Sequence, residues 1–223
     1  MSKIVCSALA FLLLMSFPCS YSAETATHVA FDLTISVYDY ALVSPETLAA
    51  AEEDARKAFR KGGIDTEWIT CLPKRQDRNL QPCSVVDTTH LMVKILPHAM
   101  TVADRARIDV LGNAPVDQKG SGFYAYVFYD RVQSVAQEHR LGHNLLGHVM
   151  AHEIAHLLLE SRSHAVSGMM SSHLGCDEWR RISEGTMLFT AGESRALREH
   201  LQRRQMSAAS VTRETASAAA CAR

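Results

Sequence analysis

The chain has 223 residues, a length that suits one domain or two small ones. Hydrophobic residues make up 47% and charged residues 21%, so the chain can bury a real core and is not a disordered polymer. Lys and Arg number 23 against 24 Asp and Glu, a net charge of -1, which argues against nucleic acid or an anionic membrane as the main partner. Two counts stand out, 11 His and 6 Cys. The histidines are clustered, with His139, His143, His148, His152, His156, His164 and His173 in one short stretch.

Residues 1-23 read as an address. Lys3 precedes an apolar run from Ile4 to Phe17, Pro18 breaks it, and Ser20, Ser22 and Ala23 follow. That is the order of a secretory signal peptide, cleaved after Ser22 or Ala23, and the run is too short to span a bilayer comfortably. The expected location is secreted or periplasmic, with no stable membrane anchor after cleavage. Cys6 and Cys19 leave with the signal, and export places the remaining cysteines where disulfides persist. Cys71 and Cys83 flank a polar loop containing Pro73 and Pro82, so they are expected to pair. Cys176 and Cys221 either pair or stay free. No CxxC pair is present, which argues against a cysteine-bound structural zinc.

The mature domain is expected over residues 28-205. Phe31, Leu33, Ile35 and Val37 alternate with polar neighbours, the pattern of a half-buried strand. Ser44 and Pro45 then read as an N-cap and first helical residue. Leu48, Ala51, Ala55 and Phe59 form the buried stripe of that helix, and Gly62-Gly63 stop it. Strands are expected over Thr66 to Thr70, His90 to Leu96 and Phe123 to Tyr129. Residues 98 to 120 are ambiguous, with turn signals at Gly112-Asn113-Ala114-Pro115 and Gly120-Ser121-Gly122. A His-rich helix follows and ends near Glu160; Gly142 and Gly147 obscure its start. Thr190 and Glu193 form a capping box for a last helix through about Gln205. From Met206 the Ser/Ala/Thr-rich chain reads as a disordered tail, residues 206-223. The element order implies an α+β fold with an α/β-like N-terminal part.

The chemistry concentrates at His152-Glu153-Ile154-Ala155-His156. On a helix, residues i and i+4 share one face, so both imidazoles can reach one zinc ion, and Glu153 lies beside the first ligand. A catalytic zinc needs three protein ligands and an open position. His164 follows a polar turn at Ser161-Arg162-Ser163 and is the leading third ligand; Glu178, Glu184, Asp177 and His173 are its rivals. The bland alternative is two packed or exposed histidines with a chance Glu between them, and an ordinary loop histidine at 164. His148, His139 and His143 read as plain helix residues, although His148 continues the ligand face one turn earlier.

The run His152 to His156, then Leu157-Leu158-Leu159, then His164, then Gly168-Met169-Met170 resembles a metzincin-type zinc site. It is most similar to small exported bacterial proteins with a His-Glu-Ile-Gly-His-Leu-Leu-Leu core, a downstream His-Ser and a Gly-Ile-Met. Val127 to Val132 and Val37 to Tyr40 fit the same group, so the resemblance covers most of the mature chain. It departs from metzincins in three places. Leu159 stands where they carry a turn Gly, Arg162 stands where they carry the third His, and Ala155 replaces a frequent Gly.

The resemblance implies a metzincin-like fold with a twisted, mostly parallel sheet, an active-site helix and a small C-terminal helical part. It implies a secreted zinc-dependent metallopeptidase acting on a peptide or protein substrate. In that reading Zn2+ is held by His152, His156 and His164, and Glu153 is the general base toward a zinc-activated water. Met170, matching the family's Gly-Ile-Met, would form an apolar floor under the histidines, with Met169 as its rival. Phe123 to Tyr129 resembles the edge strand that binds extended substrate, and Tyr124, Tyr126 or Tyr129 could assist the oxyanion. The alternatives are a zinc-bound, non-catalytic secreted binding module, a thermolysin-like site using Glu178, and an exported domain with no metal. Oligomeric state has no signature in the sequence.

Overall fold

Leu33, Ile35 and Val37 point to one side of the first strand and are all buried, as their alternation requires. The computed structural model describes residues 32–71, 83, 88–101, 110–117 and 121–221, with side chains of the last helix described through residue 209. Residues 1-23, read as a signal peptide from the sequence, lie outside the described residues. Strand β1 (Asp32–Asp39) leads to helix α1 (Pro45–Lys61), then β2 (Asp65–Cys71), β3 (His90–Leu96) and the single turn α2 (His98–Thr101). There follow β4 (Gly112–Asn113), β5 (Tyr124–Phe128), α3 (Tyr129–His139), α4 (His143–Leu159), α5 (Cys176–Ser183) and α6 (Ala191–Cys221). The sheet runs β2-β1-β3-β5-β4. Every pairing is parallel except that of β4 with β5. This is a mixed α/β architecture with a five-stranded, mostly parallel sheet.

Helix α1 follows its sequence pattern. The Ser44 hydroxyl accepts the Thr47 backbone N–H at 3.2 Å, and Leu48, Ala51, Ala55 and Phe59 are buried. The core lies where these residues and those of α4 meet the inward face of the sheet, Leu33, Ile35, Val37, Leu91, Val93, Ile95, Ala125 and Val127. Large side chains buried this way contribute about 1.5–3 kcal/mol each. Gly147, in the middle of α4, marks the closest approach to α1: a Cβ there would stand 2.6 Å from the Ala51 carbonyl oxygen. The glycine that obscured the helix boundary in the sequence is therefore a packing requirement.

Several elements differ from the sequence pattern, each for a physical reason. Tyr129 does not end the aromatic strand but opens α3. The His-rich segment is two helices, divided where Arg140 turns left-handed (φ 57°) and Gly142 leads into α4. Strand β5 is interior, flanked by β3 and β4, so the edge falls to the two residues Gly112 and Asn113, which read as a turn in the sequence. Helix α5 is a short element of eight residues with one buried residue, Ile182, and so carries little periodic signal. Helix α6 continues to Cys221 instead of ending near Gln205, in keeping with the helix propensity of its many alanines.

Cys71 and Cys83 are joined, with Cα atoms 5.8 Å apart. Closing this 12-residue separation contributes about 2–3 kcal/mol through the unfolded state. Cys176 is a free, exposed thiol. Among the described residues, no helix is long and apolar enough to cross a membrane.

Candidate metal centre

Helix α4 is buried on nearly all sides, which holds its inward histidines rigidly. His152 and His156 project from one face, and their Nε2 atoms lie 3.1 Å apart. The chain leaves the helix through Glu160, a left-handed residue at φ 52°. This turn stands one residue after Leu159, the position where the metzincin pattern has Gly. A non-Gly residue in that conformation costs on the order of 1 kcal/mol, and α6 holds it there. The buried Arg204 guanidinium donates to the Leu157 carbonyl at 2.6 Å and lies 3.5 Å from a Glu160 carboxylate oxygen. The turn brings His164 back so that its Nε2 lies 3.3 Å from that of His156. One ligand atom from each of the three histidines falls within 4.8 Å of the others.

Backbone carbonyls fix how two of these rings are oriented. His152 Nδ1 donates to the Met169 carbonyl, and His156 Nδ1 donates to the Ser161 carbonyl, each at 2.8 Å. With the proton on Nδ1, both Nε2 atoms present lone pairs. Two lone pairs facing each other at 3.1 Å repel unless a cation lies between them. A tetrahedral zinc at about 2.0–2.1 Å from each nitrogen sets ligand nitrogens about 3.3 Å apart, close to the spacing present here. Burial pushes His152 down to about 3, helped by the neighbouring His156, and burial lowers His156 as well. The rings are thus kept neutral, as metal ligation requires. The donor set fits zinc: imidazoles only, with carbonyl partners behind two of them.

Glu153 is 7% exposed, and burial alone pushes its carboxyl up to about 8. It lies under the edge strand β4, where Gly112 leaves room for it. The histidines and Glu153 share a cleft of about 780 Å3, a size that suits a small ligand or part of a peptide. Leu111 to Ala114 form one lip of this cleft; Val135, Val149, Leu174 and Trp179 wall the far end. Arg131 on α3 donates to the Val110 carbonyl at 2.9 Å, and Phe128 N–H to the Leu111 carbonyl at 2.9 Å, so the lip is pinned to the sheet.

The methionine segment closes on itself, with Ala165 N–H donating to the Met170 carbonyl at 2.8 Å. Met169 and Met170 are both buried, and Met169 supplies the carbonyl for His152. The Met170 N–H donates to Glu193 Oε1 at 3.1 Å, while Glu193 Oε2 accepts the Thr190 N–H at 2.6 Å. One carboxylate thus caps α6 and braces the segment behind His152.

The rivals for third ligand are placed elsewhere. Glu178 accepts the Gly175 N–H at 3.0 Å and caps α5, and it is not part of the three-histidine group. None of Asp177, Glu184 and His173 joins the three-histidine group. His148, read as a plain helix residue, is buried at 6% exposure, its Nδ1 has no hydrogen-bond partner among the described residues, and burial pushes it down to about 4. His139 stacks on Trp179 with ring centres 4.3 Å apart, and His143 stands 3.5 Å from Asp54. Gly112, Arg162 and Trp179 line the cleft without having been singled out for it in the sequence. For Gly112 and Trp179 the contact depends on a two-residue pairing and a short helix, which carry little sequence signal. Arg162 carried a signal of its own, since it occupies the family's third-histidine position.

No protein-family model matches the chain, and no curated protein matches it. Among solved structures, it is similar to the crystal structure of archaemetzincin from Methanopyrus kandleri, with a TM-score of 0.45 and 11% sequence identity over 77% of this chain and 97% of that chain.

Proposed function

We propose that this chain is an exported, zinc-dependent peptidase that hydrolyses peptide bonds in a peptide or protein substrate. The observation that carries the reading is the convergence of His152, His156 and His164 beside the buried Glu153 in one open cleft. Zinc, when bound by the three imidazoles, supplies a Lewis acid that polarises a carbonyl and acidifies water. Glu153 accepts a proton as general base and returns it to the leaving amine. Burial raises the proton affinity of this carboxyl, which makes its ionised form the stronger base. Strand β4 has one edge paired with β5 and its other side toward the cleft, so an extended peptide can add there through backbone hydrogen bonds. Met170 serves as apolar support behind the histidines. The signal-like residues 1-23 and the Cys71–Cys83 bridge support a secreted or periplasmic location. The balanced charge supports a non-nucleic-acid partner.

The test is zinc content and peptide cleavage of the mature protein and of Glu153→Ala. Both proteins should bind one zinc per chain, and the variant should lose cleavage by about 100-fold or more. Zinc retained without any Glu153-dependent cleavage would make the chain a binding module; absence of zinc would sink both readings.

A further inference from the structure

We infer that Arg162 recognises an acidic side chain of the substrate, so that the cleft selects peptides carrying a carboxylate at the end where His164 lies. This rests on the peptidase reading for the occupant of the cleft, and names its class. Arg162 lines the same cleft as the three histidines, in the turn that carries His164. Among the described residues lining the cleft it is the one Lys or Arg, and Glu153, the one carboxylate, is buried in the helix.

The guanidinium is held in place without being consumed. One of its nitrogens donates to the Val116 carbonyl at 2.9 Å, across from the metal loop to the segment that continues β4. That bond fixes the fork and uses one of five N–H donors. No Asp or Glu among the described residues forms an ion pair with it, although exposed arginines elsewhere in the chain, Arg56, Arg60 and Arg180, have such partners. A planar fork fixed at one nitrogen is suited to a carboxylate, which it can grip with two parallel hydrogen bonds. A peptide lying along β4 would pass beside it, because Val116 stands two residues beyond the lip residue Ala114.

The opposite end of the cleft makes the selection directional. Val135, Val149, Leu174 and Trp179 add apolar lining to the cleft, and its polar lining groups other than Arg162 and Glu153 are imidazoles, Asn113, Ser171 and Ser172. A carboxylate beside that apolar lining would lose hydration without meeting a guanidinium. The cleft therefore orients a peptide by charge, with its carboxylate toward Arg162 and an uncharged side chain toward Trp179.

The test uses fluorescein-labelled, C-terminally amidated dodecapeptides in which a single Glu is walked through a neutral sequence, each paired with its Gln twin. Binding to zinc-loaded Glu153→Gln protein is read by fluorescence anisotropy. Glu should bind more tightly than Gln by about 3- to 20-fold at one position, and this ratio should shrink as salt rises. Arg162→Gln should bring the ratio close to one, and Arg162→Lys should retain part of it, with zinc content measured for both. Equal binding of Glu and Gln twins at every position, a ratio that survives in a zinc-retaining Arg162→Gln, or no peptide binding would each overturn the inference. The salt dependence of the ratio in Arg162-containing protein tests it independently of how the variants fold. Cleavage of the same peptides by wild-type protein separates the two readings. Cleavage without a Glu preference removes the role of Arg162 and leaves a peptidase; Glu-dependent binding without cleavage removes the peptidase and leaves the carboxylate site.

Discussion

Gly112 on the edge strand and Glu153 on the metal helix share one space: a Cβ on Gly112 would stand 2.6 Å from both Cγ and Oε1 of Glu153. The edge strand is pinned to the sheet, so the side chain of Glu153 must give way. Gly112→Ala should leave zinc content close to wild type and lower the melting temperature, because the added Cβ meets the buried Cγ of Glu153 as well as its carboxyl end. Peptide hydrolysis should fall by about 10-fold or more, since a displaced base no longer meets its proton. Full activity in that variant would show that Glu153 works from another position.

His164 is the exposed member of the histidine group, and it arrives through a turn instead of from the helix. His164→Ala should lower zinc affinity by at least about 100-fold, measured by competition with a chelator of known affinity. Glu178→Ala should keep the metal and lose only the cap of α5, a cost of about 0.5–2 kcal/mol seen as a lower melting temperature. The reverse pattern would restore the thermolysin-like ligand set.

Glu193 bonds the backbone of both Met170 and Thr190. Replacing it with Ala removes a helix cap and leaves the Met170 N–H without its partner. The expected cost is about 1–3 kcal/mol, or several degrees in melting temperature for a chain of this size. Zinc affinity should fall as well, because the adjacent Met169 carbonyl orients His152. Unchanged zinc affinity would mean that the segment holds its shape without this brace.

Acid should destabilise the metal-free protein through His148. Burial depresses its folded value to about 4, below the ordinary 6.5, so the unfolded chain binds the proton more readily. Its stabilising effect is therefore full above about pH 6.5 and is lost as pH falls toward about 4. At pH 5 the loss amounts to about 2 kcal/mol. His148→Leu should remove that share, so that urea unfolding in chelator at pH 7 and pH 5 differs less than in the wild type. An equal pH dependence in both would show that other groups carry the acid sensitivity.

Much of this arrangement is legible in the sequence where local physics decides it. The alternation of Leu33, Ile35 and Val37, the Ser44 cap, the i, i+4 spacing of His152 and His156, and the short cysteine loop each act within a few residues, and each has its counterpart in the fold. The edge strand was not legible, because Gly112 and Asn113 become a strand only through pairing with Val127 and Tyr126. The position of His148 was hidden for the same kind of reason: its own helix leaves it at the end of the ligand face, and its burial comes from packing by neighbouring elements. The left-handed turn at Glu160 has no glycine and is contacted by Arg204 from far along the chain, a relation the local sequence does not carry.

That last contact orders events during synthesis. The three clustered histidines lie in the later middle of the chain, yet the turn that returns His164 and the brace behind His152 are contacted by Arg204 and Glu193 from the final helix. A chain still emerging from a ribosome or a translocation channel would present two helical histidines without a formed third arm. Closure of the three-histidine group is thereby deferred until nearly the whole polypeptide is available to fold.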